Sequence, residues 1–485
     1  MRQWKELYER RLCTTEEAVL SIQNGDTVNI PIFPPTAPLT ALYARKDALR
    51  DVQLRINAPA TDPGWFKSDT EDSFPIEFEI FIGDFARHAH HDKRGHYLPN
   101  LFSTAFKAFD DKRSGVRHAN VAIVTCSPPN EAGFVHFGPH HWTKRSLVRR
   151  VDVSIAEVDP TMPRVHGDVY AHVSEITHFV ERAHSEITPE QIEVVLAQMP
   201  EERRAPMRKL VAKLPQDRLQ LVFPILSVIE PGALERFLGL APPPESHHAI
   251  AGYLSEVIED GDCIQIGVGE PSSQMVRLGA FDRKRDLGMH TELIAPGTAR
   301  LVEEGIINGR RKNVFPGKVV AAAWTGGTAS DLSIIDDNPT FQLFDPEYIL
   351  AVPRIAANDR QVSINSALSV DLIGQINSES IFGPLMVNGT GGQPETHIGA
   401  FLSRGGKAIT VLPSTALEGS VSRIVATHPE GSIITVPRYY ADIVITEYGV
   451  ALLLGKNHRQ RARELIAIAH PDHRAELSDA ARRLF

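Results

Sequence analysis

Short runs of aliphatic and β-branched residues alternate with amphipathic stretches along most of the chain, a pattern that predicts layered α/β structure. VRHANVAIVTCSPP (116–129), DVSIAEVDP (152–160), AITVLPS (408–414), GSIITVPR (431–438) and ADIVITEYG (441–449) read as strands running into loops. Their continuous rather than alternating apolar character suits strands covered on both faces. RQRARELIAIA (459–469) has helical period, and Pro471 stops it. Two distant stretches share one plan. Residues 18–42 and 254–278 each run through a helical segment, a Gly-Asp turn, a short strand, a proline-containing loop and a second helix. Gly25-Asp26 matches Gly261-Asp262, and Val28-Asn29-Ile30 matches Ile264-Gln265-Ile266. Helix–turn–strand units recur in all α/β proteins, so one match also fits coincidence. Taken as a duplication, it predicts two similar open α/β domains packed together with a cleft between them. Residues 186–246 change character, being charged and helical in period before the proline run in ERFLGLAPPPESHH. The predicted organisation is an N-terminal α/β domain over 1–185, a helical insertion or linker over 186–246, and a C-terminal α/β domain over 247–485.

Composition narrows the function classes. The 485 residues are 42% hydrophobic and 23% charged, an ordinary globular profile with ample core volume. Net charge is −9 with scattered basic residues, which argues against a nucleic-acid surface but leaves room for a local positive pocket. The charged start MRQWKELYERRL does not read as a secretory signal, and no long uninterrupted apolar stretch predicts a membrane span. Cys13, Cys126 and Cys263 lie far apart without metal spacing and read as reduced thiols. The expectation is a cytoplasmic protein, with a homodimer or homotetramer common for enzymes of this size.

Three local patterns carry candidate chemistry. GVGEPSS (267–273) follows the strand CIQI. Glycines at such a turn let backbone N–H groups approach an anionic ligand, though the dinucleotide spacing G-x-G-x-x-G is broken at Ser272. In LGMHTELIAPG (287–297), Glu292 stands in an otherwise apolar stretch with His290 before it. Alone it reads as a surface carboxylate at a strand edge; its interest is its position where open α/β sheets bind ligands. VNGTGGQ (387–393) concentrates glycines in a loop able to cradle an oxyanion, and GGK (405–407) places Lys407 just before a strand. His88, His90, His91, His136, His140 and His141 lack metal-ligand spacing, so no metal is expected; polar pocket lining or plain surface fits them better.

These stretches in order resemble the acetyl-CoA hydrolase/transferase family, fused-chain relatives of class I CoA transferases that include 4-hydroxybutyrate, butyrate and acetate CoA-transferases. In the first half the resemblance rests on HYLPNLFS (96–103), VAIVTCSPPNEAGF (121–134) and IAEVDPTMPRVHGDVYAHVSEI (155–176). In the second it rests on IQIGVG (264–269), LGMHTEL (287–293), NDRQVSINSALSVDLIGQINSES (358–380) and NGTGGQ (388–393). It continues through GGKAITVLPSTA (405–416), SRIV (422–425), VITEYGVALLLGK (444–456) and LIAIAHPDHR (465–474).

The resemblance implies a class I CoA-transferase-like fold with the active site where the halves meet. It implies Glu292 as nucleophile, Gly392 as backbone donor near the reacting carbonyl, and Asn365 beside the glutamate. It implies Gly267, Val268, Gly269, Glu270 and Pro271 as the CoA-contacting loop, with Asn388, Gly389, Gly391 and Lys407 also near CoA. The implied activity moves CoA between an acyl-CoA and a free carboxylic acid, using coenzyme A as substrate and no prosthetic group. An acyl-CoA hydrolase on the same scaffold is the alternative, and a catalytically silent CoA-binding subunit is a third. Two departures stand out. Glu270-Pro271-Ser272 replaces a small residue, an aliphatic and a proline, so Glu270 must face away from CoA phosphates or pair with a cation. VHFGPHHW (135–142) replaces a small polar stretch and suggests a larger or polar acid, such as a hydroxy acid or dicarboxylate.

Overall fold

The computed structural model describes residues 3–485 except 60–61, 82, 184–186, 215–218, 220–221, 224–225, 227–228, 239 and 325–328; for 83–85, 233, 237, 329–330 and 332 it describes the backbone. Two large sheets carry the architecture. In the first, seven parallel strands follow one another in the chain as Thr27–Ile30, Gln53–Ile56, Ile76–Phe78, Gly95–Tyr97, Val121–Cys126, Val153–Val158 and His178–Glu181. The first strand lies centrally, the second to fourth extend to one side, and the fifth to seventh to the other.

The second sheet repeats that order strand for strand with Cys263–Ile266, Gly288–His290, Val319–Ala321, Phe341–Leu343, Gln361–Ser366, Lys407–Val411 and Ile443–Thr446. The local construction repeats too. Asp26 Oδ2 accepts the Gln23 N–H at 2.7 Å, and Asp262 Oδ2 accepts the Glu259 N–H at 2.8 Å. Gly25 and Gly261 donate to the carbonyls of Arg50 and Arg285. A shared strand order and a shared turn chemistry make the two halves versions of one unit, as the matching stretches predicted.

The strands are covered on both faces, one by aliphatic side chains and the other by a mixture that includes the buried polar residues Asn29, Gln53, Arg55 and Gln265. In Thr27–Ile30, Gln53–Ile56 and Cys263–Ile266 every residue is buried. Each fully buried Val, Leu or Ile contributes about 1.5–3 kcal/mol. Two edge strands break the symmetry. Gly449–Leu452 pairs antiparallel with Ile443–Thr446. At the other edge His166–Gly167, from the first half of the chain, pairs with Gln342 and Leu343 of the second sheet.

Residues 431–438 differ from the expected strand. With Pro429 before them and Pro437 among them, they form a loop in which the N–H groups of Thr435 and Val436 both reach the Ile376 carbonyl. The expected helix after 267–273 is reduced to the 3-10 turn Ser272–Gln274. The Ser272 hydroxyl donates to the Gly267 and Gly269 carbonyls, which tightens the chain before an α-helix can start. The predicted junction at 185–186 touches undescribed residues. Beyond it, helices Pro189–Ala197, Glu201–Val211 and Pro231–Phe237 share a separate apolar cluster that includes Leu196, Met207, Leu210 and Leu234.

Candidate active site

The carboxyl end of the second sheet gathers the candidate residues other than Lys407, and the first half closes over them. The strand Gly288–His290 ends one residue before Thr291, whose hydroxyl donates to the Leu293 carbonyl. That turn projects Glu292, whose own carbonyl accepts the N–H of Ala322 at 2.9 Å, just beyond the neighbouring strand Val319–Ala321. The backbone of Glu292 is therefore fixed on both sides. His290 is a framing residue: its Nε2 donates to the Ile349 carbonyl at 2.8 Å, and its Nδ1 accepts from Asn358 Nδ2 at 3.1 Å. Burial lowers its pKa to about 3, so the ring is neutral.

The Glu292 carboxylate faces Gly392, and the approach is so close that a methyl group there would lie 2.0 Å from Oε2. Gly392 caps the helix Gln393–Leu402, and its backbone N–H favours the ionised carboxylate. Protein atoms pack closely round Glu292 although part of its surface remains in contact with solvent. This desolvation raises its pKa to about 8; the nearby Glu395 charge adds to the rise, and the Gly392 N–H opposes it.

The first turn of that helix organises the rest. The Thr396 hydroxyl donates to the Gly392 carbonyl at 3.0 Å and accepts from Asn365 Nδ2 at 3.1 Å. Asn365 is buried near the end of Gln361–Ser366, and its Oδ1 accepts from Gln265 Nε2 at 3.1 Å. A methyl group on Gly267 would stand 2.9 Å from that same Oδ1. One chain of contacts thus links Gly267, Asn365, Thr396, Gly392 and Glu292.

The glycine loop after Cys263–Ile266 holds its shape through Ser272, whose N–H donates to Ser366 Oγ at 3.1 Å. Gly267 donates to the Ile364 carbonyl, Gly269 accepts from Ser272 and Ser273, and Val268 is exposed. Pro271 precedes the 3-10 turn. Glu270 forms a two-pronged ion pair with Arg236 at 2.9 and 2.8 Å, from the helix Pro231–Phe237. Of the two alternatives the sequence left open for Glu270, facing away or pairing with a cation, the structure shows the ion pair.

The loop 388–392 is stapled to the first half. The Thr390 N–H donates to Tyr97 Oη at 3.0 Å, Arg87 Nε donates to the Val387 carbonyl at 3.0 Å, and Gly389 packs against Phe81 and Tyr97. Asn388 is exposed and donates its backbone N–H to the Glu379 carbonyl. Gly391 adopts a left-handed φ of 58°. Lys407 lies elsewhere. It begins its strand, pairs in register with Val362, and binds Asp262 Oδ2 at 3.1 Å and the Val257 carbonyl at 3.0 Å. Three residues of strand separate it from the level of Asn365, about 10 Å toward the amino ends of the strands.

Sequence reasoning missed Glu395, Thr396, Ser366, Tyr97 and Ser103. Glu395 is wholly buried and spans the cleft, accepting the Ser103 N–H at 2.9 Å and the Phe102 N–H at 3.1 Å. Its one readable signal is an acid in the first turn of a helix. In VHFGPHHW, Trp142 and His141 are buried, whereas His140 is partly accessible and stacks on Phe33 with ring centroids 3.9 Å apart. Among the described residues no group of three or more His, Cys, Asp or Glu could hold a metal ion, and no helix is long and apolar enough to cross a membrane.

Two sheets of the same parallel strand order thus meet at a seam that carries the Glu292 carboxylate opposite Gly392. The chain belongs to the acetyl-CoA hydrolase/transferase family: residues 1–193 match its N-terminal domain and 327–481 its C-terminal domain. It is 32% identical to the 4-hydroxybutyrate coenzyme A transferase of Clostridium kluyveri over all of both chains. It is also 32% identical to the succinyl-CoA:cyclohexane-1-carboxylate CoA transferase of Geobacter metallireducens, covering 100% of this chain and 98% of that one. Among solved structures, RipA from Yersinia pestis superposes with a TM-score of 0.79 at 26% identity, covering 99% of each chain. The 4-hydroxybutyrate CoA-transferase of Porphyromonas gingivalis does so with a TM-score of 0.69 at 29% identity, covering 99% of this chain and 100% of that one.

Proposed function

We propose that this protein transfers CoA between an acyl-CoA and a free carboxylic acid through a covalent intermediate on Glu292. The observation that carries the reading is the Glu292 carboxylate, desolvated at the seam of the two halves and packed against the backbone of Gly392. A carboxylate is a weak nucleophile, but a thioester is an activated acyl donor. A Glu292 oxygen attacks the thioester carbon, the C–S bond breaks, and CoA leaves as thiolate from a mixed anhydride. The thiolate then attacks the glutamyl carbonyl carbon, releasing the first acid as carboxylate and leaving CoA as a thioester on Glu292. An acceptor carboxylate runs the same two steps backwards and departs as the new acyl-CoA. Each step passes through a tetrahedral oxyanion that a preorganised N–H can stabilise, and one such donor is worth about 3 kcal/mol of barrier.

Desolvation makes Glu292 more basic and so a better nucleophile once ionised, but protonated near neutrality. Only the carboxylate attacks, so the rate of intermediate formation should rise with pH through about 8. The acid is proposed to be polar or larger than acetate, with His140 as the accessible polar group of the 135–142 stretch. CoA is proposed to lie along 267–271, where Arg236 neutralises Glu270. Cys13, Cys126 and Cys263 are unpaired, which supports a cytoplasmic setting.

The test is incubation with acyl-CoA, trapping with borohydride and peptide mass spectrometry. Modification of Glu292, together with loss of at least about a thousandfold in turnover on Glu292→Gln, is the expected result. Turnover with Glu292 unmodified would overturn the covalent route. Acyl-CoA consumption that is equally fast without an acceptor acid would replace transfer by hydrolysis.

A further inference from the structure

Glu395 is a second carboxylate at the seam, and no step of the proposed chemistry uses it. Its residue is 0% exposed, it sits in the first turn of Gln393–Leu402, and its oxygens accept the Phe102 and Ser103 N–H groups of the other half. Those donors open the 3-10 turn Phe102–Thr104. The same helical turn presents Gly392 to Glu292 and Thr396 to Asn365. Whatever holds Glu395 therefore holds the donor that faces Glu292.

We propose that Glu395 is a positioning residue, clasping the glycine-capped turn to the first half and setting the charge environment in which Glu292 reacts. This rests on the reading of Glu292 as nucleophile. A buried carboxylate bound to two backbone N–H groups keeps its place because leaving would orphan all three partners. Two consequences follow from the one contact. The Gly392 N–H is fixed relative to Glu292, and the Glu395 carboxylate, when ionised, disfavours ionisation of Glu292 while strengthening it as a base; burial raises the pKa of Glu395 itself, against the pull of its bonds to Ser103 and Phe102. The groups facing Glu292 are the Gly392 N–H and the Glu395 carboxylate; those facing Glu395 are the Phe102 N–H, the N–H and hydroxyl of Ser103, and Glu292.

Two variants separate positioning from charge. Glu395→Gln keeps the size and removes the charge. Glu395→Asp keeps the charge and shortens the reach to Ser103. The readout is the rate of adduct formation on Glu292 against pH, with thermal melting as a check on folding. For Glu395→Gln the acid limb of the profile should move down by about one pH unit, since a like charge has been removed. Its plateau rate should fall tenfold or more. For Glu395→Asp the limb should stay at the wild-type position while the plateau falls. A limb unmoved in Glu395→Gln, or moved equally in both variants, would overturn the charge role. A plateau unchanged in both would overturn the clasp. Wild-type protein that forms no adduct would refute the nucleophile assignment itself, an outcome distinct from either.

Discussion

At Gly392 the side chain is absent for a geometric reason that can be tested. The Glu292 carboxylate occupies the space a methyl group would need, at 2.0 Å. Gly392→Ala must push Glu292 out of line with the N–H that faces it, while the helix it caps gains no unfavourable backbone angle at φ −83°. Adduct formation should therefore fall by about a hundredfold, the usual effect of losing one preorganised donor, with melting temperature little changed. Rapid-quench kinetics with acyl-CoA check this, and a variant of wild-type rate would remove Gly392 from the mechanism. Glu292 stood out in the sequence through the ordered motifs around it. Glu395 did not, because its partners Phe102 and Ser103 lie 293 and 292 residues away and no local pattern records them. Asn365 shows the same limit. Its motif was readable, but its bond to Thr396 was not.

Elements were legible where burial alone decides them. Val121–Cys126, Val153–Val158 and Ile443–Thr446 lie inside the stretches expected to be strands because two-sided burial leaves an unbroken apolar run. Stretch 431–438 carries similar residues but has Pro429 before it and Pro437 within it, and only Val436 bridges a strand, at Ile376, so tertiary context overrides propensity. The glycine loop shows what an element gains from a distant partner. Glu270 would repel CoA phosphates, and Arg236 from the helix Pro231–Phe237 neutralises it with two bonds. Arg236→Ala leaves that carboxylate uncompensated, so KM for acyl-CoA should rise about tenfold, equivalent to about 1.4 kcal/mol, with a smaller change in kcat. Adding Glu270→Ala to Arg236→Ala should restore much of the loss, because the repulsive charge goes with it. Steady-state kinetics on the two variants check this. Equal KM in both would show that the pair braces the loop without bearing on the ligand's charge.

For the whole molecule the question is how two similar units act as one. The duplication was legible in a pair of matching 25-residue stretches, since each half needs the same Gly-Asp turn to enter its central strand. The exchange of an edge strand was not, because His166–Gly167 is too short to carry a pattern and its partner lies at 342–343. That exchange ties the first half to the second sheet. The seam adds the apolar cluster of Ile32, Phe102, Trp142, Val320, Ala322 and Ile349, and the Trp142 N–H bonds to the Ala322 carbonyl. Gly167 is where the tie is most exposed to substitution. Its φ is 115°, and a methyl group would lie 2.1 Å from the Leu343 carbonyl oxygen, a backbone atom that cannot swing aside. Gly167→Ala must break the pairing or displace the strand Phe341–Leu343, at a cost of about 1–3 kcal/mol from the backbone angle alone. Wild-type protein should melt in one calorimetric transition, because the halves share a sheet and a core. The variant should melt several degrees lower, with the transition broadened or split as the coupling weakens. An unchanged single transition in Gly167→Ala would mean that the apolar seam and the Glu395 clasp couple the halves without help from the exchanged strand.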